Sequence, residues 1–170
     1  YAGVFVEDGS DEIVSDVFAI TVVNNSEKML QYAQVMITCG EGSYIFDMST
    51  IPAGARAQVL EKERKKLPES LAGAQTVLNT ITEFQEEPSL YSDVFELSPE
   101  AYSIGIKNIS EGNISGDIYV YYKTKVGGLF MGGITYRAKV TGLSAGEEKN
   151  AYASHFYGDD SEILFVTYAK

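Results

Sequence analysis

Several residue types that support catalysis, metal binding or cross-linking are scarce in this chain of 170 residues. It has one cysteine, one histidine, four prolines and no tryptophan. A single cysteine cannot form an internal disulfide, so packing must stabilise the fold. A zinc site needs three or four ligands, usually cysteine and histidine, and only Cys39 and His155 are present. We therefore predict no metal site and no cofactor.

Basic residues are also in the minority. The chain has 13 lysines and arginines against 24 aspartates and glutamates, which gives a formal net charge of −11. The acidic excess is spread over both halves of the sequence. Nucleic acids and anionic membrane surfaces are bound mainly through lysines and arginines that neutralise phosphates. We therefore expect no nucleic-acid partner and no direct membrane binding by this segment.

Long apolar runs are missing as well, and none approaches the ~20 residues that a membrane helix requires. The sequence begins with Tyr1 rather than methionine. A segment that follows a signal peptide or an N-terminal anchor would begin in this way. We therefore expect an extracytoplasmic protein, secreted or membrane-anchored through a segment absent from this chain.

The supply of catalytic groups is equally small. A serine nucleophile needs a histidine base, and His155 lies in a sequence without the glycines of a nucleophile elbow. A cysteine–histidine pair would have to unite His155 with the distant Cys39, for which we expect a buried thiol. A pair of carboxylates for glycoside hydrolysis stays open, because sequence spacing does not show which acids converge. We predict no enzymatic activity and no catalytic residues.

Two charged segments are predicted to be surface connectors. Residues 7–12 are rich in aspartate, glutamate, glycine and serine, which is typical of a solvated loop. A calcium site is the alternative there, although the full calcium-loop pattern is missing. Residues 61–69 are mostly charged and have no apolar stripe, so we expect a solvated connector.

Tyrosine, phenylalanine and glycine are abundant, with twelve, eight and sixteen copies. Aromatic residues fit a pleated sheet and glycines permit turns, so the composition favours β-structure. The pattern is strongest in residues 117–136, where Ile118, Val120 and Tyr122 alternate with Tyr119 and Tyr121. Because strand side chains alternate between faces, both faces of this strand are apolar. A glycine pair at 127–128 then predicts a tight reversal into a second strand, and so a long hairpin.

The two halves of the chain share a pattern. The Asn-Asn-Ser-Glu sequence at 24–27 corresponds to Asn-Ile-Ser-Glu at 108–111, an offset of 84. The Ile-Pro-Ala-Gly sequence at 51–54 corresponds to Leu-Ser-Ala-Gly at 143–146, an offset of 92. The eight-residue difference falls within the hairpin. We therefore predict an internal repeat whose second copy carries a hairpin extension, with each Asn-x-Ser in a turn.

Strands that recur every 8 to 12 residues, with no long helical stretch, indicate β-sandwiches. We predict an all-β fold of two tandem immunoglobulin-like β-sandwiches. The first repeat is residues 1–87, and the second, with the extended hairpin, is residues 88–170. The alternative is a single larger sandwich made from both halves.

The order of an alternating strand, an Asn-x-Ser turn, a long strand, a hairpin and a late apolar-x-Ala-Gly turn resembles the FxLYD-type domains. The residues that carry the resemblance are 120–128 (VYYKTKVGG) and 143–146. The tyrosine–aspartate pair of the family name is not present, because Lys123 follows Tyr122. These are small β-sandwich domains of exported Gram-positive bacterial proteins. The resemblance implies this fold and a surface location, and it implies no catalytic residues.

The remaining candidate for function is aromatic. Tyr119, Tyr121, Phe130 and Tyr136 are candidate binding residues, because exposed rings stack on sugars or contact proteins. Packing of these rings inside the protein is the alternative. We expect a non-enzymatic interaction or structural module, whose protein or glycan partner and oligomeric state are unknown. The second functional hypothesis is a carbohydrate-binding module that uses the tyrosines of the second repeat.

Overall fold

The computed structural model describes residue 9, residues 14–40 and residues 42–169. These residues form an all-β protein, which confirms the predicted class, and its one helical element is a 3₁₀ turn at Gly158–Asp160. The first strands in chain order are β1 (Ala19–Val23), β2 (Leu30–Cys39), β3 (Gly42–Ile51), β4 (Arg56–Leu60), β5 (Gln75–Glu83) and β6 (Phe95–Glu100). The remaining strands are β7 (Ser103–Asn108), β8 (Ile114–Val126), β9 (Leu129–Met131), β10 (Tyr136–Leu143), β11 (Glu148–Tyr152) and β12 (Ser161–Tyr168).

The chain divides into two compact units. The first contains the described residues up to Glu87 together with Val126–Ile134, and the second contains Pro88–Lys125 and the chain from Thr135 onward. We expected residues 88–170 to form one unbroken second unit. Residues 126–134 instead belong to the first unit, because β9 pairs in parallel with β4 and places Phe130 opposite Ala57.

In the first unit, β3, β2 and β5 form an antiparallel sheet in that order, while β1, β4 and β9 run side by side. Phe18 packs edge-on against Tyr44 and Phe46, with ring centroids 5.2 and 5.1 Å apart. Phe46 is completely buried, and so is Ala57 on β4. The alternating apolar residues of these strands therefore form the core of this unit.

The second unit also has two groups of strands. One is an antiparallel sheet in the order β11, β7, β6, and in the other β8 lies between β10 and β12. The core combines residues from all six strands, with Ile104, Ile106, Ile118, Val120 and Tyr122 fully buried. Of these, Ile118, Val120 and Tyr122 are the residues that the strand pattern placed on one face of β8.

A buried asparagine organises a turn in the first unit. The Nδ2 of Asn24 donates to the backbone carbonyls of Lys28, Ile51 and Pro52, at 2.8, 2.9 and 3.1 Å. Its Oδ1 accepts hydrogen bonds from the backbone N–H and hydroxyl of Ser26. The amide therefore joins the turn after β1 to the end of β3.

Asn108 makes the corresponding bonds in the second unit. Its Nδ2 donates to the carbonyls of Gly112, Leu143 and Ser144, at 2.7, 3.2 and 3.2 Å. Its Oδ1 accepts from the N–H and hydroxyl of Ser110. The predicted turn role of both Asn-x-Ser sequences is confirmed.

The prediction of a solvated connector at residues 61–69 is wrong at the first residue of the segment, Glu61. This side chain is 1% exposed. Its carboxylate accepts hydrogen bonds from the backbone N–H groups of Ile45, Glu63 and Lys65, at 3.2, 2.8 and 2.9 Å. Burial of the carboxylate is offset by these donors, and the bonds fix the start of the charged segment.

Two other predictions concern Cys39 and the acidic residues 7–12. Cys39 is partly exposed at the end of β2, so the prediction of a buried thiol is wrong. The predicted acidic loop at residues 7–12 lies outside the described residues, apart from Gly9.

Candidate functional site

The long strand β8 carries tyrosines on both faces, as the alternation predicts. Tyr122 is completely buried in the core, whereas Tyr119 and Tyr121 are partly exposed on the opposite face. Their cross-strand partners on β10 are Lys139 and Arg137. We call the surface formed by Asp117, Tyr119, Tyr121, Arg137, Lys139, Thr141 and Phe165 the tyrosine face.

A polar network holds one end of the tyrosine face in place. Lys139 Nζ lies 2.7 Å from Asp117 Oδ2, and the Thr141 hydroxyl donates to Asp117 Oδ1 at 2.6 Å. The Tyr119 hydroxyl donates to Asp117 Oδ2 at 3.2 Å. The hydrogen bonds from Lys139 and Thr141 lower the pKa of the Asp117 carboxyl, and the same ion pair raises the pKa of Lys139.

Two cations lie against the ring of Tyr119. The Arg137 guanidinium carbon is 4.7 Å from the ring centroid, and Lys139 Nζ is 5.6 Å from it. Both distances are within the range of cation–π attraction, about 6 Å. The ring is therefore oriented by its neighbours and gives these two cationic side chains a fixed support.

Tyr121 is packed differently from Tyr119. Its ring stacks on Phe165 of β12, with centroids 4.3 Å apart and planes inclined by 12°. Phe165 is 6% exposed, so one face of the Tyr121 ring is covered by a buried ring. The Tyr119 and Tyr121 centroids are 6.5 Å apart at 43°, which is a contact rather than a flat two-ring platform.

Phe130 does not belong to an exposed aromatic surface. It is 1% exposed and lies on β9, in the first unit. Its burial follows from the parallel pairing of β9 with β4. The expectation that Phe130 provides a binding ring is therefore corrected.

Tyr136 lies on the core side of β10, opposite Tyr122. It stacks on Tyr122 and on His155, with centroids 6.0 and 4.6 Å away. The row continues through Tyr157 to Tyr102, which is 53% exposed. Tyr136 therefore belongs to a separate aromatic row and is not brought together with Tyr119 and Tyr121.

His155 is held within this aromatic row. Its Nδ1 is 3.3 Å from the Tyr157 hydroxyl, and its ring is stacked on Tyr136. The adjacent Ser154 offers its backbone carbonyl to the Tyr122 hydroxyl at 2.6 Å. Burial raises the pKa of Tyr122 to about 12. These contacts give His155 a packing role.

Three further observations concern charge, metals and membrane-spanning helices. Burial lowers the pKa of Lys123, which is 1% exposed, to about 7. Within the described ranges, no group of three or more histidine, cysteine, aspartate or glutamate side chains is arranged to hold a metal ion. The same residues contain no helix long and apolar enough to span a membrane.

An apolar groove in the first unit was not predicted. It has a volume of about 330 Å³ and lies between β1 with its following turn and the sheet of β2, β3 and β5. The strand β5 is exposed along its whole length, and Leu78 and Ile81 are 54% and 52% exposed. The alternation of apolar residues predicts strands here, but it does not show that a face stays uncovered.

Comparisons with known proteins found no relative of this chain. No protein-family model, no curated protein and no solved structure matches this chain.

Proposed function

We propose that this protein is a non-enzymatic interaction module made of two immunoglobulin-like β-sandwiches that are copies of one unit. The matching bonds of Asn24 and Asn108 support the repeat. In both cases one amide bonds the carbonyl four residues ahead and two consecutive carbonyls at the end of a later strand. The sequence resemblance leads us to propose an extracytoplasmic location as well.

The tyrosine face is the observation that carries the proposed interaction. Its tyrosines lie on a central strand, so the backbone beneath them is rigid, and hydrogen bonds through Asp117 fix Tyr119, Lys139 and Thr141. Arg137 is exposed, and its guanidinium lies over the Tyr119 ring. Aromatic and arginine side chains of this kind are typical of protein-binding surfaces.

The covered rings favour a protein over a sugar as the partner. Sugar binding of the usual kind needs an open ring face for stacking. The Tyr119 ring supports Arg137 and Lys139, and one side of Tyr121 is covered by Phe165. A partner that contributes carboxylates to Arg137 matches this arrangement better. Carbohydrate binding by Tyr119 and Tyr121 is the second candidate function, supported by their partial exposure.

The experiment compares two variants of the whole chain. Tyr119→Ala/Tyr121→Ala removes the face, and Tyr152→Ala, at a side chain that is 77% exposed on β11, is the matched control. Each is immobilised and incubated with bacterial cell-surface extract, and captured proteins are purified and titrated individually. We expect saturable binding by the wild type and by Tyr152→Ala. The double variant should bind the same partner with at least tenfold weaker affinity.

The same variants test the second candidate on a glycan array. Sugar binding that the double variant loses and Tyr152→Ala keeps would replace the protein-binding proposal. A purified partner that binds the double variant and the wild type equally would contradict the role of the tyrosine face.

A further inference from the structure

The apolar groove of the first unit lies beside a strand edge. β4 pairs with one edge of β1, and β4 also contacts β3, so the other edge of β1 lies towards β5. That edge has no partner strand among the described residues. Val22 of β1 lines the groove, and the exposed Leu78 and Ile81 of β5 lie across from it. The groove therefore combines an apolar floor with an edge whose backbone N–H and C=O groups accept an additional strand.

The hydrogen bonds of the two buried asparagines show which parts of the two units correspond. The amide of Asn24 bonds the carbonyl of Ile51, and in the second unit the corresponding carbonyl belongs to Leu143. These residues end β3 and β10, so β2 corresponds to β8 and β5 to β12. Three residues before each end, the strand pairings lead across β2 and β8 to Ile81 and Tyr168. Ile81 therefore corresponds to Tyr168.

The place of the groove is filled in the second unit. Val166, which corresponds to Leu78, is 1% exposed, whereas Leu78 is 54% exposed. The Tyr168 ring packs edge-on against Tyr91 and against Phe95 of β6, with centroids 5.1 Å apart in both pairs. β6 pairs with the edge of β7 that faces away from β11. A strand with an aromatic side chain thus covers in the second unit what is open in the first.

The sequence explains why this strand has no counterpart directly before β1. Ser-Asp-Val-Phe occurs twice, ending at Phe18 and at Phe95. Phe18 is followed at once by β1, whereas seven residues, 96–102, separate Phe95 from β7. Those seven residues supply the rest of β6 and the turn into β7. The Phe18 ring packs against Tyr44 and Phe46, so it does not take the place of Phe95.

We propose that the groove binds an extended segment of a partner protein, which adds to the free edge of β1 as β6 adds to β7. This inference rests on the proposed repeat. Phe95 and Leu97 of β6 lie opposite the residues of β7 that correspond to Asn24 and Val22. In the same register, the partner places an aromatic side chain opposite Asn24 and an aliphatic one, two residues later, opposite Val22. Both Asn24 and Val22 line the groove.

The residue between these two positions is predicted to be apolar as well. In the second unit it is Glu96, which lies opposite Lys107 and forms an ion pair with it at 3.5 Å. Val23 stands in the first unit where Lys107 stands in the second, and it is 49% exposed. No charged residue is among those that line the groove. Apolar cross-strand pairs stabilise a sheet, so the groove favours an aromatic–apolar–aliphatic sequence.

A synthetic peptide with the sequence of residues 92–99 and the change Glu96→Val is the probe. It carries a fluorophore at its N-terminus and is titrated with the full chain by fluorescence anisotropy. We expect saturable binding, which the further change Phe95→Ala in the peptide weakens by about tenfold or more. The peptide that retains Glu96 should bind more weakly than the one with Glu96→Val.

Variants of β5 test whether the peptide occupies the groove. Leu78→Ser/Ile81→Ser changes two side chains that are more than half exposed, so the fold tolerates the change. The matched control is Val77→Ser/Thr80→Ala, at exposed positions on the other face of the same strand. We expect about tenfold weaker binding or more by the groove variant, and binding within about twofold of the wild type by the control.

Hydrogen exchange shows which strand edge the peptide joins. A saturating concentration of the peptide should slow exchange of the backbone amides of β1 by about tenfold or more and leave those of β7 unchanged. Protection of β7 alone would place the peptide on the second unit and would overturn the proposal.

Three other results would also contradict it. These are no saturable binding to the wild type, equal binding by the groove variant, and a dimer in solution that Leu78→Ser/Ile81→Ser abolishes. The last result would assign the groove to a second copy of the chain. Tyr119→Ala/Tyr121→Ala should bind the peptide as the wild type does, so failure here and failure of the proposed interaction are separate results.

Discussion

At the scale of single residues, each Asn-x-Ser turn depends on one buried amide. Asn108 is completely buried, and its Nδ2 serves three carbonyl groups. We predict that Asn108→Ala lowers the free energy of unfolding by about 2–4 kcal/mol, because buried carbonyls lose their donor. Urea denaturation followed by tyrosine fluorescence measures this change.

The control for this prediction is a further Asn-x-Ser sequence, at residues 113–115. Asn113 is exposed, and its Oδ1 accepts one hydrogen bond, from the backbone N–H of Ala145. Asn113→Ala should therefore cost less than about 1 kcal/mol. Equal losses at Asn108 and Asn113 would contradict the role assigned to the buried amide.

Sequence patterns predicted the roles of some individual residues and missed those of others. The Asn24 and Asn108 turns were found because their serine contacts are local, two residues along the chain. Glu61 was misassigned because one of its donors is Ile45, sixteen residues earlier, which no charge pattern reveals. The outward position of Tyr119 followed from strand alternation, whereas its contact with Arg137 required the register of β8 and β10.

At the scale of elements, the hairpin at residues 117–136 was only partly predictable. Gly127 and Gly128 have positive φ angles of 57° and 81°, in agreement with the predicted reversal. The short strand that follows pairs with β4, more than seventy residues earlier in the chain. Parallel pairing between distant strands leaves no local signal, so the burial of Phe130 could not be predicted.

The attachment of this segment depends on a close contact at Gly133. A Cβ atom there would lie 2.2 Å from the Asp47 carbonyl oxygen, and the Gly133 carbonyl accepts the N–H of Ser49 at 2.8 Å. We predict that Gly133→Ala destabilises the protein by about 1–3 kcal/mol or more, through a forced backbone shift. Thermal unfolding measures the loss.

Gly112→Ala is the matched variant for this test, since a Cβ atom at Gly112 would meet nothing within 4 Å. Its melting temperature should stay within about 2 °C of the wild type. Equal melting temperatures for the two alanine variants would show that the contact between Gly133 and Asp47 does not limit stability.

At the scale of the whole molecule, the buried Lys123 makes stability depend on pH. Its pKa is about 7 when folded, against 10.5 for an ordinary lysine. Below pH 7 both states carry the proton, and the cost of burying the charge is fully present. Between pH 7 and 10.5 the unfolded state binds more protons, so the free energy of unfolding rises with pH. We predict that Lys123→Met is more stable than the wild type near pH 7 and that this advantage shrinks as the pH rises.

Denaturant titrations between about pH 6 and about pH 9.5 test this. Higher values are avoided because Tyr122, whose pKa is about 12 when folded and 10.0 ordinarily, makes stability fall with pH above pH 10. Lys107→Met, at a partly exposed lysine paired with Glu96, serves as the control. A constant difference between Lys123→Met and the wild type over this range would refute the prediction.

Strand β9 comes from the second half of the sequence but belongs to the first unit, and this also affects synthesis on the ribosome. The first unit needs Val126–Ile134, but Glu87 ends its earlier part, so 134 − 87 = 47 further residues must be made before it is complete. At ~5–20 residues per second this takes about 2–9 s. During that time the edge of β4 is open to other nascent chains. A first half produced separately, as a chain that ends at residue 87, would therefore lack its closing strand.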